Sequence, residues 1–306
     1  MNIREHIIPV ADLLKFFLAR KVLGQKPPLI ASFKLTYRCN LACRGCPFHL
    51  RAGNEKAHMG WDEAVQTLAV LKKCGTRIVV FEGGEPLLWR DGAHDFPELV
   101  ARAKKLFCRV GVTTNGTLPL DVPTDILWVS LDGLEKTHNR LRSGSFDRAW
   151  NNLRVTKHPK VFIHFTMNRE NWRELEELLE RLREITSIRG TTLQLFYPYG
   201  QGEEALSLSP AERREALEKA VRLKKNYTIL NSRSSLKAMI ENTWHCHDDI
   251  LINVDPGGAI TRGCYAKSRG AINCRDCGFT PVTEASGALD LYPSSLFAGW
   301  RIFLQT

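Results

Sequence analysis

The chain has 306 residues, 43% of them apolar, and a formal net charge of +10. That length allows one large domain or two with a real core, and the basic balance suits an anionic substrate or a membrane surface. No apolar run reaches the ~18–20 residues of a membrane span, no small-residue cleavage site follows the apolar stretch at 7–18, and no basic stripe with interleaved aromatics points to nucleic acid.

Residues 5–24 read as an amphipathic helix, with Leu13, Leu14, Phe17 and Leu18 on one side, ended by Gly24 and Pro27-Pro28. The expectation is a helix that caps the bottom of the fold, with a membrane-surface role as the alternative. Apolar runs at 29–35, 77–82, 109–114, 126–131, 161–167 and 192–197 then alternate with helical patterns at about 61–73, 95–106, 146–156, 171–185 and 209–225. The connection 116–125 carries Pro119 and Pro123 and has room for only a vestigial helix. Buried strands alternating with helices imply a parallel sheet. The fold class expected is α/β: a partial (β/α)6 TIM-like barrel whose reactive loops lie at the C-terminal ends of the strands.

Nine cysteines without an export signal read as metal ligands in a reducing compartment rather than as disulfides. Cys39, Cys43 and Cys46 follow the first strand with C-x3-C-x2-C spacing. Three thiolates cannot close a tetrahedral zinc site, but they can hold three irons of a cubane and leave the fourth iron open. After the second strand stands Gly83-Gly84-Glu85-Pro86, after the third Thr114-Asn115-Gly116, after the fourth Ser130-Leu131-Asp132-Gly133, and after the fifth Thr166-Met167-Asn168. Each could be an ordinary turn; in this order, each at a strand end, they form a set.

This set resembles the radical S-adenosylmethionine (SAM) superfamily across about residues 29–225. The resemblance implies a [4Fe–4S] cluster on Cys39, Cys43 and Cys46. It implies SAM bound by its amino group at Gly83, Gly84, Glu85 and Pro86, and by its ribose near Ser130 and Asp132, with Asn115 at the same mouth. The family's aromatic residue before the third cysteine is replaced by Gly45, and Phe48 is the nearest substitute beside the adenine. The chemistry implied is reductive cleavage of SAM to a 5′-deoxyadenosyl radical, which then acts on an unactivated carbon.

Residues 250–265 read as a β-hairpin turning at Asp255-Pro256-Gly257-Gly258. Cys246, Cys264, Cys274 and Cys277 surround it, in a pattern that resembles the SPASM and twitch accessory domains. A second [4Fe–4S] cluster is implied, with a four-cysteine structural zinc as the rival on ligands alone; a histidine ligand from His245 or His247 is the minority alternative. Cys74 and Cys108 read as small buried apolar residues. The expected division is an N-terminal helix at 1–28, the barrel at 29–226, and a small cysteine-rich metal-cluster domain with an aromatic tail at 227–306.

Partners expected are a small-molecule or lipid substrate and an external one-electron donor such as flavodoxin or ferredoxin. The helix ahead of the barrel, the basic charge and the aromatic tail lean towards an apolar substrate and peripheral contact with the inner membrane face, in a cytoplasmic protein. A peptide or cofactor maturase is the runner-up, with no peptide-binding domain expected ahead of the barrel. A non-catalytic zinc module is the alternative of another class.

Overall fold

Six runs rich in β-branched and aromatic residues form parallel strands: β1 (Ile30–Thr36), β2 (Ile78–Gly83), β3 (Arg109–Thr114), β4 (Ile126–Ser130), β5 (Val161–Met167) and β6 (Ile188–Leu195). They pair in chain order. Helices α1 (Ile3–Lys21), α2 (Trp61–Lys73), α3 (Phe96–Lys104), α4 (Glu135–Leu141), α5 (Phe146–Val155), α6 (Leu175–Leu182) and α7 (Pro210–Leu223) intervene, and none separates β3 from β4. The structure is a computed structural model that describes residues 3–46, 48–198, 202–268, 273, 274 and 277–305, with side chains from residue 10 onward. Pro47 in the first cysteine stretch, and Arg275 and Asp276 between the last two cysteines, lie outside the described residues.

Side chains alternate across each strand, and the two faces differ. In β1, Ala31, Phe33 and Leu35 are fully buried in the core that also holds Leu68 and Leu71 of α2. Ser32, Lys34 and Thr36 take the concave face. The same alternation puts Val112, Val129 and Ile163 on the helix side and Thr113, Ser130 and His164 opposite them.

The chain after α7 joins this sheet. It forms α8 (Arg233–Glu241), strands β7 (Leu251–Val254) and β8 (Ile260–Arg262), and helices α9 (Thr280–Leu289) and α10 (Pro293–Gly299). β7 runs parallel to β1 in the register Ile30↔Leu251 to Phe33↔Val254, and β8 returns antiparallel. The sheet order is therefore β8-β7-β1-β2-β3-β4-β5-β6. The expected hairpin is present, but it extends the barrel sheet, so the stretches before and after residue 226 share one sheet.

The floor of the barrel is shared by α1 and the C-terminal tail. Ile302, in a π-helical turn at Trp300–Leu304, packs with Ile126, Trp128, Phe162 and Leu230 on the concave face. Phe303 meets the Trp128 ring edge-on at 6.3 Å, and its carbonyl accepts from Arg109 Nε at 2.6 Å. The C-terminal tail thus closes the N-terminal ends of the strands. In α1, Phe16 is the buried residue, at 1% exposure, while Leu14 and Leu18 stand 64% and 52% exposed. Phe16 packs beside Ile250 and Leu289, and Arg20 pairs with Asp249 at 2.8 Å, so α1 lies under the N-terminal ends of β1 and β7, as a cap of the bottom would. Of the apolar stripe read from the sequence, Leu13 and Phe17 are half-buried, Phe17 against the Phe16 cluster, while Leu14 and Leu18 point outward.

Candidate active site

The cysteine loop is held by three neighbouring loops. Tyr37 N donates to Ala57 O, Ala42 N to Ser143 Oγ and Arg44 N to Leu141 O. Gly84 N donates to Thr36 O at 2.7 Å and Glu85 N to Arg38 O at 2.9 Å. A Cβ on Gly84 would sit 2.2 Å from Arg38 O, so only glycine lets the turn after β2 lie on the loop's backbone. The sequence reading gave these glycines to a ligand's approach; here the close approach is between two segments of the chain.

Glu85 is fully buried. Its carboxylate accepts from Thr114 Oγ1 at 2.7 Å, Asn115 N at 2.8 Å and Leu87 N at 3.1 Å. Burial raises its pKa, partly offset by those bonds. Glu85 therefore ties the turn after β2 to the loop after β3. Pro86 starts the 3-10 turn that Glu85 caps. Asn115 Nδ2 reaches Asn40 Oδ1 at 2.8 Å and Cys39 Sγ at 3.7 Å, so this side chain touches a cysteine of the loop.

Ser130 ends β4 and is buried. Asp132 follows, and both of its carboxylate oxygens are engaged: Oδ1 accepts from Thr166 N at 2.7 Å, and Oδ2 from Arg142 Nε at 2.5 Å. Asp132 is thus the counter-charge of a largely buried guanidinium, and each of its oxygens keeps a further acceptor site. Arg142 was missed in the sequence. Its positive charge acts on Cys43 and Cys46, lowering thiol pKa values that burial otherwise raises, to about 11 for Cys43.

Phe48 stacks on Tyr37, centroids 5.6 Å apart and planes at 12°, and tilts against Tyr265. It faces the hairpin side. The ring that stands over the cysteine loop is Phe196, just after β6: a Cβ on Gly45 would lie 2.6 Å from it. Gly45, at φ +75°, makes room for that ring. Cys43, Cys46, Asp132, Arg142, Thr166 and Phe196 contribute to the lining of a small cavity of about 80 Å³ at the barrel mouth.

The three thiols influence one another electrostatically, Cys39 with Cys43, Cys43 with Cys46, and Cys46 with Cys39. Three converging sulfurs, one hydrogen-bonded by an amide and two beside a guanidinium, fit a cluster with one open iron and do not complete a zinc tetrahedron. Residues 33–182 match the family model described as Radical SAM superfamily. The chain belongs to the radical SAM superfamily. It is an enzyme whose cofactors are a [4Fe–4S] cluster and SAM. The Fe-coproporphyrin III synthase of Methanosarcina barkeri is 30% identical over 63% of this chain and 50% of its own length. The AdoMet-dependent heme synthase of the same organism is 27% identical over 83% of this chain and 78% of its own length. In fold, the chain superposes on Streptococcus suis SuiB bound to S-adenosylmethionine with a TM-score of 0.63 at 17% identity, covering 81% of this chain and 62% of SuiB. The chain thus spans half of the first of these relatives and more of the second.

In a radical SAM site the homolytic chemistry is supplied by SAM and the cluster when both are bound. The protein's own part is position and exclusion of water. Cys39, Cys43 and Cys46 would hold the cluster, Asn115 donates to Cys39, and Arg142 sets positive charge beside the other two.

The four late cysteines also gather. Cys246 is influenced by Cys264 and Cys277, and Cys277 by Cys264 and Cys274. Cys264 follows β8, while Gly278, next to Cys277, accepts from Leu195 N of β6 at 3.4 Å. The group therefore spans the two open edges of the sheet. His247 Nε2 lies 2.7 Å from Asp290 Oδ1. Cys108 is half-buried and donates to Arg77 O, and Cys74 is exposed, so neither is the fully buried residue expected.

The concave face of the sheet between the cysteine loop and the tail, called the chamber below, is lined with polar side chains. Ser32, Glu82, Thr113, His164, Thr166, Thr192 and Gln194 all lie on it and are partly accessible, while the residues alternating with most of them are buried. Lys34 Nζ lies 3.0 Å from Glu82 Oε1 and 3.7 Å from the centroid of the Tyr265 ring. These walls are polar, and an apolar lipid substrate finds no support in them. No helix among the described residues is long and apolar enough to cross a membrane.

Proposed function

We propose that this radical SAM enzyme modifies a carboxylate-bearing tetrapyrrole held in the polar chamber. One observation carries the reading: the AdoMet-dependent heme synthase matches 83% of this chain and 78% of its own length, so the likeness extends beyond the family's shared core. The net charge of +10 and the polar walls agree with a polyanionic substrate. In this reading Gly83, Gly84 and Ser130 meet SAM through the mouth, Phe196 lies beside the adenine in place of Phe48, and Asp132 serves by holding Arg142. An external one-electron donor such as flavodoxin or ferredoxin reduces the first cluster. Cys246, Cys264, Cys274 and Cys277 hold a second [4Fe–4S] cluster. A peripheral membrane contact belongs to the floor end, where Leu14 and Leu18 stand exposed; loss of binding to anionic vesicles in Leu18→Glu tests it.

The deciding experiment incubates the anaerobically reconstituted, dithionite-reduced chain with SAM and Fe-coproporphyrin III. Formation of 5′-deoxyadenosine should rise above the porphyrin-free rate, with a porphyrin product of altered mass. Changing Cys39, Cys43 and Cys46 together to Ala should abolish both. A precursor-type peptide that stimulates cleavage while porphyrins do not would move the assignment to peptide maturation, and unchanged cleavage in the triple variant would overturn the radical site itself.

A further inference from the structure

Within the chamber, His164 is the side chain whose chemistry is left over. It stands on β5, facing the lumen one step below Thr166. Its Nδ1 lies 3.2 Å from Thr192 Oγ1. That hydroxyl donates its own hydrogen to Ile163 O at 3.1 Å, so it can only accept from the ring. His164 is therefore the Nδ1–H tautomer, and Nε2 carries a lone pair. Nε2 has no hydrogen-bond partner among the described residues, and the residue is partly accessible from the chamber.

The charged groups around it are Glu82 from β2, with Asp132 and Arg142 beyond β4. Burial is the largest influence and lowers the pKa of His164, reinforced by Arg142 and opposed by the two carboxylates. The ring is thus neutral at neutral pH. A neutral imidazole with one nitrogen tied to a hydroxyl and the other open is the arrangement of a metal-ligating histidine, since the tied N–H fixes ring orientation and tautomer.

Resting on the tetrapyrrole reading, we propose that His164 Nε2 is an axial ligand to the iron of an iron-porphyrin substrate. Nε2 donates its lone pair to the substrate iron; no proton or electron is transferred and no covalent bond breaks. The bond would set the height of the macrocycle in the chamber, so that its side chains, rather than its face, meet the radical at the mouth. His164 would then be a binding residue for the iron, and a positioning residue for the carbon that reacts. Lys34, Glu82 and Ser32, on the facing strands, leave the ring edge a polar wall.

The test uses the full reconstituted chain without turnover. Ferric Fe-coproporphyrin III and metal-free coproporphyrin III are titrated separately, following the Soret band and, for the ferric form, electron paramagnetic resonance. The ferric porphyrin should bind at least tenfold more tightly than the metal-free one and give the spectrum of an imidazole-ligated iron. In His164→Ala that signature should vanish and affinity fall to the metal-free level, with free imidazole restoring the signature; the affinity for SAM should stay unchanged. Thr192→Val should bind with a shifted spectrum, because the tied nitrogen is released. Two porphyrins of equal affinity, or an imidazole signature unaltered in His164→Ala, overturn the axial ligand while leaving the tetrapyrrole reading intact. Failure of both porphyrins to bind the unmodified chain overturns that reading and this assignment together. The comparison of the two porphyrins on the unmodified chain needs no variant to fold.

Discussion

Asp132 and Arg142 make a nearly buried pair, with side chains 8% and 17% exposed. Removing one partner leaves the other charge in a dry site, which is far worse than never having the pair. Asp132→Ala should therefore destabilise the fold by about 3–5 kcal/mol, measurable by urea unfolding. Asp132→Asn, which keeps an acceptor for Thr166 N–H, should lose less. Weak SAM binding with unchanged stability would instead return the carboxylate to the ribose. His138 nearby supplies a pH dependence. Its Nδ1 accepts from Asp132 N at 3.1 Å, while Nε2 meets Ser145 Oγ, a hydroxyl that itself donates to Arg142 O. Protonation would set two N–H groups against each other, and burial lowers the pKa to about 4. The unfolded chain takes up this proton first, near pH 6.5. The contribution is fully present above about pH 6.5 and lost as the pH falls towards 4, about 3 kcal/mol in all. Stability of the metal-free chain against pH should show that slope, and His138→Asn should flatten it.

At the scale of elements, the site depends on loops touching loops. Gly84→Ala would drive a methyl into the backbone at Tyr37 and Arg38. Overpacking of this kind costs roughly 1–3 kcal/mol, and here it falls on the loop that carries the cysteines. Iron at the first site should drop while the melting transition survives; full iron with a lowered melting point would confine the effect to folding. How much of this was legible is uneven. β3 and β5 fall where the apolar runs put them, at 109–114 and 161–167, because continuous buried strands carry their own signal. β6 begins at Ile188 rather than 192, since Arg189 and Gly190 break the apolar run. The polar wall of β1 was readable in the alternation Ser32, Lys34, Thr36 against Ala31, Phe33, Leu35. Arg142 and Phe196 carried no such signal: one is a single arginine among several near the end of α4, the other an aromatic just past a strand. Only the fold brings them to the cysteines.

For the whole molecule, the gathered late cysteines couple the two ends of the sheet. If they hold a cluster, changing Cys274 and Cys277 together to Ala should remove about half of the iron, one of two cubanes, and keep 5′-deoxyadenosine formation from dithionite. Unchanged iron with zinc lost would make the site a structural zinc, whose binding energy is folding energy. Either metal would tie Cys264 beyond β8 to Cys277 beside β6, so hydrogen exchange at both edges should quicken in the variant.

The pairing of β7 with β1 also sets an order of events during synthesis. β1 leaves the ribosome well before its partner along one edge, which lies about 220 residues further on, a separation that makes this contact slow to form. Until Leu251–Val254 emerges, the edge of β1 carries unpaired N–H and C=O groups beside apolar side chains, a template for strand addition by another chain. The nascent protein therefore passes through a long interval with β2 to β6 available for pairing and β1 bare on one side, its cysteine loop attached to the least supported strand. A chain cut before residue 250 would be fixed in that interval, with aggregation through β1 as its characteristic failure.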